Sequence, residues 1–232
     1  MENDKDLLKI ENLVLKIGNT EILKNISFSV AKREIIALLG PSGSGKSSLL
    51  KTINMLNTAS SGSIHYHAKD TGEIVPMDLR KKIGYVLQRA TLFGNSVLDN
   101  LKYHCEIQKK VFDMDMVEFY LGKVNLKPDI LEKKPSELSG GEQQRISLIR
   151  TLLMKPEIIL LDEVTSALDE ENTKLIEELI KYENENNDMT VIFISHNNEQ
   201  AKRLAQKVIY MEEGNIKEMA NVNTFFKERV AK

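Results

Sequence analysis

The sequence predicts an α/β fold: a core of parallel strands, an antiparallel β subdomain, and an inserted α-helical subdomain. Three observations predict it. Four short apolar runs each stop abruptly at a small or polar residue, as buried parallel strands do at their carboxyl ends. Between Gln88 and Pro156 the apolar residues instead recur at three- and four-residue spacings, which is helical periodicity. Ahead of the first run, residues 7–36 read as antiparallel strands. The expected boundaries are 1–88 and 156–232 for the core with its β subdomain and 89–155 for the helical subdomain, within one domain of 232 residues. That length can bury a sizeable core.

Along the chain, GNT (18–20) supplies a hairpin turn for the N-terminal strands. EIIALL (34–39) runs into Gly40, and IGYVL (83–87) into Gln88. Three helical patterns follow: SVLDNLKYHCEIQKK (96–110), FDMDMVEFYLGKV (112–124) and SGGEQQRISLIRTLLMK (139–155). They are broken by NLKPD and KKPSE, whose prolines are Pro128 and Pro135. EIILL (157–161) ends on Asp162 and Glu163, and VIFI (191–194) on Ser195 and His196. VIYMEEGNIKEM (208–219) reads as a hairpin around Gly214–Asn215. Open α/β sheets bind ligands at the carboxyl ends of their strands, and here four such ends carry glycine-rich, amide, acidic and imidazole groups.

Composition narrows the partners. With 32 basic and 34 acidic residues the net charge is −2, so nucleic acid is not an expected partner. The single Cys105 rules out an internal disulfide framework and suits a reducing compartment. Every apolar run is far shorter than the ~20 residues that cross a bilayer, and MENDKD is unlike a secretory signal. The chain is expected to be soluble, with any membrane role supplied by a partner.

GPSGSGKS (40–47) fits G-x-x-x-x-G-K-[ST] at every fixed position, after a strand and before a helix. In such a loop, backbone N–H groups wrap a polyphosphate at a helix N-terminus. Gly40, Pro41, Ser42, Gly43, Ser44, Gly45 and Ser48 are the expected cradle. Lys46 reaches the terminal phosphates, and the Ser47 hydroxyl ligates Mg²⁺. Asp162 is suited to holding Mg²⁺, and Glu163 to deprotonating a water that attacks the γ-phosphate. Gln88 offers an amide oxygen to Mg²⁺ or to that water, and His196 a hydrogen bond to the γ-phosphate. His65 and His67 in SIHYHAK share a face if both lie on one strand, but two histidines without further ligands read as a polar strand face.

LSGGEQQR (138–145) poses a separate question. Ser139 and Glu142 form a capping box, which leaves Gly140 and Gly141 unexplained, since glycine disfavours a helical first turn by ~1 kcal/mol. Glycine there suggests that something approaches the backbone closely. The first loop already wraps one nucleotide, so the second would serve a nucleotide held by another copy of the chain.

These motifs together resemble the ATP-binding subunits of ATP-binding cassette (ABC) transporters, over nearly the full length of the chain and in family order: GPSGSGKS, the Gln88 loop, LSGGEQQR, ILLDE, SALD (166–169) and His196. The resemblance implies a P-loop NTPase (RecA-like) core that binds ATP and Mg²⁺, and a head-to-tail dimer sandwiching two ATPs. It implies that Ser139 and Gly141 contact the opposite ATP, Glu163 is the catalytic base, His196 the γ-phosphate switch, and Asp169 part of a loop crossing the interface. It further implies an integral membrane subunit docking near Gln88–Asn100, on the cytoplasmic face of the cell membrane. TLFGNSVLDNL (91–101) and RISLIRTLLMKPEIILLDEVTSALDEEN (145–172) look most like the Fet-type iron-export ATPase subunits. The family usually stacks an aromatic residue on adenine; the aligned residue here is Ile17. A cassette ATPase acting on nucleic acid or ribosomes is the alternative, but such proteins carry paired cassettes or long coiled-coil insertions. A GTPase would carry N-K-x-D, which the sequence lacks.

Overall fold

The computed structural model describes residues 6–230, so most of the MENDKD stretch lies outside the described residues. Strands β1 (Asp6–Ile17) and β2 (Thr20–Ala31) form the first hairpin, turning at Gly18 with φ +59°. β3 (Ile35–Leu39) leads into the first glycine loop, and α1 (Lys46–Ile53) leaves it. β4 (Ser61–Tyr66) and β5 (Lys69–Asp70) complete an antiparallel sheet of order β2-β1-β4-β5. α2 (Pro76–Lys82) precedes β6 (Ile83–Val86). Then come α3 (Val97–Gln108), α4 (Met114–Lys123) and α5 (Gly140–Leu152). β7 (Ile158–Asp162), α6 (Glu170–Asn186), β8 (Thr190–Ile194) and α7 (Asn198–Leu204) alternate as in other α/β sheets. β9 (Lys207–Glu212), β10 (Asn215–Asn221) and α8 (Val222–Val230) end the described chain.

The second sheet has the order β10-β9-β3-β8-β7-β6. All its pairings are parallel except β9–β10. Both faces of this sheet are covered, which is why its strands read as unbroken apolar runs. Ile35, Ala37 and Leu39 point into a cluster shared with Leu101, Ile146 and Leu152 of the helical stretch. Ile36 and Leu38 point the other way, toward α1 and the antiparallel sheet. The helical stretch therefore shares its core with the sheet.

Four sequence expectations need correction. The antiparallel stretch ends at Ala31 rather than residue 36, because Ile35 and Ile36 pair in parallel with Val191 and Ile192. The late hairpin turns at Glu213–Gly214, not Gly214–Asn215: Glu213 and Gly214 take φ +48° and +80°, the two left-handed positions that a tight hairpin turn needs. The helix starting at residue 140 stops at Leu152, and Lys155 already has φ +52° ahead of Pro156. His65 and His67 also fail to share a strand face. His67 sits past the end of β4 with φ +48° and bonds Glu157 at 2.7 Å, while His65 faces Glu11 at 3.6 Å. Glu157 also receives Lys82 at 2.9 Å, so it fastens both the β4–β5 turn and the end of α2 to the foot of β7.

Gly84 on β6 sits under α5. A Cβ there would lie 2.6 Å from Thr151 Cγ2 and 3.3 Å from Pro156 Cγ, and a β-branched helical side chain has little rotamer freedom to move away. Gly84→Ala is expected to destabilise the fold by ~1–3 kcal/mol in urea unfolding. In a Thr151→Ser background, which removes that methyl, the cost should fall by about half or more; an unchanged cost would show that the contact is not the reason for the glycine.

Candidate active site

The first glycine loop is wedged between backbones. Gly40 has φ +140°, and a Cβ on it would lie 1.9 Å from the Met211 carbonyl oxygen, so only glycine fits. Gly45 caps α1 in the left-handed conformation, with the Ile22 carbonyl 3.0 Å from its would-be Cβ. Gly214 N–H donates to the Ser44 carbonyl at 3.1 Å. The loop is thus gripped by β2 on one side and by the β9–β10 hairpin on the other. Lys46 is buried and donates to the carbonyls of Gly40 at 2.9 Å and Pro41 at 2.8 Å. Burial lowers its pKa, and the charges of Glu163 and Asp162 oppose that shift.

Asp162 closes β7 and is 3% exposed. Its Oδ1 accepts from Ser47 Oγ at 2.8 Å and its Oδ2 from Tyr85 Oη at 2.6 Å. Burial, then the hydrogen bond to Asp162, pushes the Tyr85 phenol pKa up, so Tyr85 stays a donor. Tyr85 was not among the residues expected from sequence. It stands on β6 three residues before Gln88 in a run that reads as plain strand, and no local spacing marks its contact.

Glu163 follows with φ +51°, a region that costs a non-glycine residue roughly 1–2 kcal/mol. This turn breaks the strand and swings the carboxylate toward both neighbouring strand ends. Glu163 Oε2 accepts from Gln88 Nε2 at 2.8 Å, and Oε1 pairs with His196 Nε2 at 2.9 Å. Thus Gly40–Ser48, Gln88, Asp162, Glu163 and His196 gather at the carboxyl ends of the parallel strands β3, β6, β7 and β8.

The other expected residues stand apart. Ser139 and Glu142 form the capping box of α5, with Ser139 N–H donating to Glu142 Oε2 at 2.8 Å. Gly140 has open space where a Cβ would go, and Gly141 would meet only the Leu168 side chain, at 3.1 Å. Neither glycine has a positive φ. Asp169 caps α6 by accepting from Asn172 N–H at 2.8 Å. Ile17 is 58% exposed at the end of β1. A cleft of about 730 Å³ runs from Glu163 and His196 to Leu168 and Glu170, and Ser139, Gly141, Asp169 and Ile17 are not part of its lining.

A glycine loop gripping a lysine, a buried aspartate bonded to the loop serine, and a glutamate poised between an amide and an imidazole define a nucleotide-hydrolysing P-loop enzyme. Comparison with known proteins makes this specific. The family model described as ABC transporter matches residues 23–166. "Probable iron export ATP-binding protein FetA" of Escherichia coli (strain K12) is 38% identical over 213 residues, covering 91% of this chain and 94% of that protein. "Arginine transport ATP-binding protein ArtM" of Bacillus subtilis (strain 168) is 38% identical over 231 residues, with 95% and 93% covered. The cassette MJ0796, solved as a dimer in a post-hydrolysis state bound to ADP and Pi, superposes with TM-score 0.84 at 28% identity, covering 93% of this chain and 98% of that one. The chain belongs to the ABC transporter family, as an ATP-binding subunit that hydrolyses ATP. Among the described residues no helix is long and apolar enough to cross a membrane.

Tyr85→Phe removes one of the two hydrogen bonds to a buried carboxylate. Urea unfolding is expected to show a loss of ~1–3 kcal/mol, with ATP turnover reduced as Asp162 loses its orientation. Wild-type stability would show that the phenol does not hold Asp162.

Proposed function

We propose that the chain is the motor of a membrane transporter, working as two head-to-tail copies that complete each other's ATP sites at the cytoplasmic face. The observation that carries this reading is Gly140. It is glycine at the first position of a helix, with no positive φ and open space in place of a Cβ. Nothing in its own chain requires glycine, whereas a phosphate approaching the helix N-terminus would. The dimeric MJ0796 cassette supports the same arrangement.

In this reading the loop from Gly40 to Gly45, with Ser48, wraps the phosphates, and Lys46 leaves its loop carbonyls for the terminal ones. The Ser47 hydroxyl, the Asp162 carboxylate and the Gln88 amide oxygen form an all-oxygen donor set that suits Mg²⁺. Mg²⁺ would neutralise charge on the β- and γ-phosphates. Glu163 takes the proton of the attacking water as that water's oxygen bonds to the γ-phosphorus and ADP leaves. His196 donates to the γ-phosphate. Ser139 and Gly141 face the partner's γ-phosphate, Asp169 crosses the interface, and Ile17 packs on adenine. The 89–155 stretch acts as the signature-bearing subdomain, with a membrane subunit seated near Gln88–Asn100. The likeness to FetA over 91% of the chain favours iron export as the transport powered.

Two experiments test this. Glu163→Gln should lower turnover ~10²–10⁴-fold while keeping ATP affinity, and with ATP and Mg²⁺ it should elute from a sizing column at twice the monomer mass. Full hydrolysis would remove Glu163 from its role, and a persistent monomer would remove the sandwich. Ile17→Tyr should tighten ATP binding several-fold and widen the preference for ATP over GTP, in line with ~0.5–1.5 kcal/mol for an added ring contact. Unchanged affinity would place adenine elsewhere.

A further inference from the structure

Behind the Glu163–His196 pair lies a buried polar cluster that the proposed chemistry does not use. Glu177 of α6 is 4% exposed and Gln200 of α7 is 3% exposed. Arg203 grips the Glu177 carboxylate with two donors, Nε to Oε2 at 2.9 Å and Nη2 to Oε1 at 2.8 Å. Gln200 Nε2 donates to the same Oε1 at 3.2 Å and to Thr165 Oγ1 at 3.1 Å. Thr165 lies in the loop between β7 and α6, two residues after Glu163. Thr165, Gln200 and Arg203 all line the cleft of about 730 Å³ that holds Glu163 and His196.

Packing alone does not call for this cluster. α6 and α7 already contribute Ile176, Ile180, Ala201 and Leu204 to one apolar cluster, and a buried ion pair is often no more stabilising than apolar side chains of similar size. What the ion pair supplies is direction. A carboxylate only accepts, so Glu177 fixes which end of the Gln200 amide faces it. With one Nε2 proton on Glu177, the other is aimed at the Thr165 hydroxyl.

The Thr165 contact sits at a junction. Ser166 N–H and Oγ both donate to the Glu163 carbonyl, at 3.1 and 2.8 Å, and Leu168 N–H donates to the Thr165 carbonyl at 3.1 Å. Those bonds close the loop on itself. Among the described residues, the contact with Gln200 is the one side-chain hydrogen bond tying residues 164–168 to another element. On the other side, Asn197, the residue after His196, caps α7 by accepting from Gln200 N–H at 3.2 Å. Gln200 therefore holds the neighbour of His196 with its backbone and the loop after Glu163 with its side chain.

We propose that Gln200 and Thr165 are positioning residues for ATP hydrolysis. Their bond, aimed by Glu177 and Arg203, keeps the strand end that carries Glu163 in register with the one that carries His196. Glu163 sits at φ +51°, and a strained backbone of that kind holds its place only with outside support. The proposal rests on the reading of Glu163 as the base.

Thr165→Val keeps the branched side chain and removes the hydroxyl. Its kcat for ATP should fall ~10-fold, the order that a small misplacement of a reacting group costs, with KM changed by less than about two-fold. Thr165→Ser, which restores the hydroxyl, should recover most of that loss. Adding Gln200→Leu to Thr165→Val should lower kcat no further than the stronger single variant, because both break one bond. Unchanged kcat in Thr165→Val, whatever its urea stability, would reduce the cluster to packing and overturn the proposal. So would a loss that Thr165→Ser does not recover, losses that add in the double variant, or a rise in KM alone. Glu163→Gln run in parallel separates the two readings. Full turnover there removes the base and the clamp together, whereas an inactive Glu163→Gln beside an unaffected Thr165→Val removes the clamp alone.

Discussion

The buried carboxylate of Asp162 is the constraint on which the site depends. A carboxylate that is 3% exposed must have its charge and lone pairs met within the protein. Both oxygens are met, by Ser47 from the start of α1 and by Tyr85 from β6, while the Lys46 ammonium adds opposite charge. Satisfying it fixes three elements at once. The first turn of α1 must face the end of β7, and β6 must pair with β7 in the register that sets Tyr85 beside Leu160. The glycine loop must also bend sharply enough to deliver Ser47, which Gly40 and Gly45 allow at φ +140° and +98°.

Around that centre the structure uses backbone where side chains might be expected. The glycine loop is held by carbonyls of β2 and β9 and by the Gly214 N–H, while its Lys46 and Ser47 side chains bond the loop carbonyls and Asp162. Glu163 is aimed by a left-handed backbone rather than by packing. Strained conformations of this kind persist where surrounding structure over-determines them. Here the two flanking strand ends do so, through Gln88 and His196.

Much of this was legible in sequence because it is local. The phosphate loop is a contiguous motif, and the parallel strands announce themselves as apolar runs ended by functional groups. The capping box of α5 needed only Ser139 and Glu142. What stayed hidden depends on contacts distant in the chain. Tyr85 acquires its partner 77 residues away, and no spacing rule reaches that far. The turn at Glu213–Gly214 was misplaced by one residue because EGN offers glycine–asparagine as well as glutamate–glycine, and only the pairing of Asn215 with Glu212 decides. The α6 helix is absent from the sequence reading, although Ile176, Leu179 and Ile180 make an apolar stripe after the Asp169 cap.

The chain also couples two concave surfaces through adjacent residues. Leu87 lines an apolar groove beside Phe93 and Tyr103, while its carbonyl accepts Gln144 Nε2 from α5 at 2.9 Å. The next residue, Gln88, bonds Glu163. A displacement of Leu87 by anything seated in the groove therefore bears on two places. One is the carboxylate at the end of β7; the other is the helix whose N-terminus carries Ser139, Gly140 and Gly141. Because α5 also shares the apolar cluster on the sheet face, it transmits such a shift as a packed body rather than by bending. The short strand-to-loop step from Val86 to Gln88 is thus where an outside contact and the Glu163 carboxylate meet in the fewest bonds.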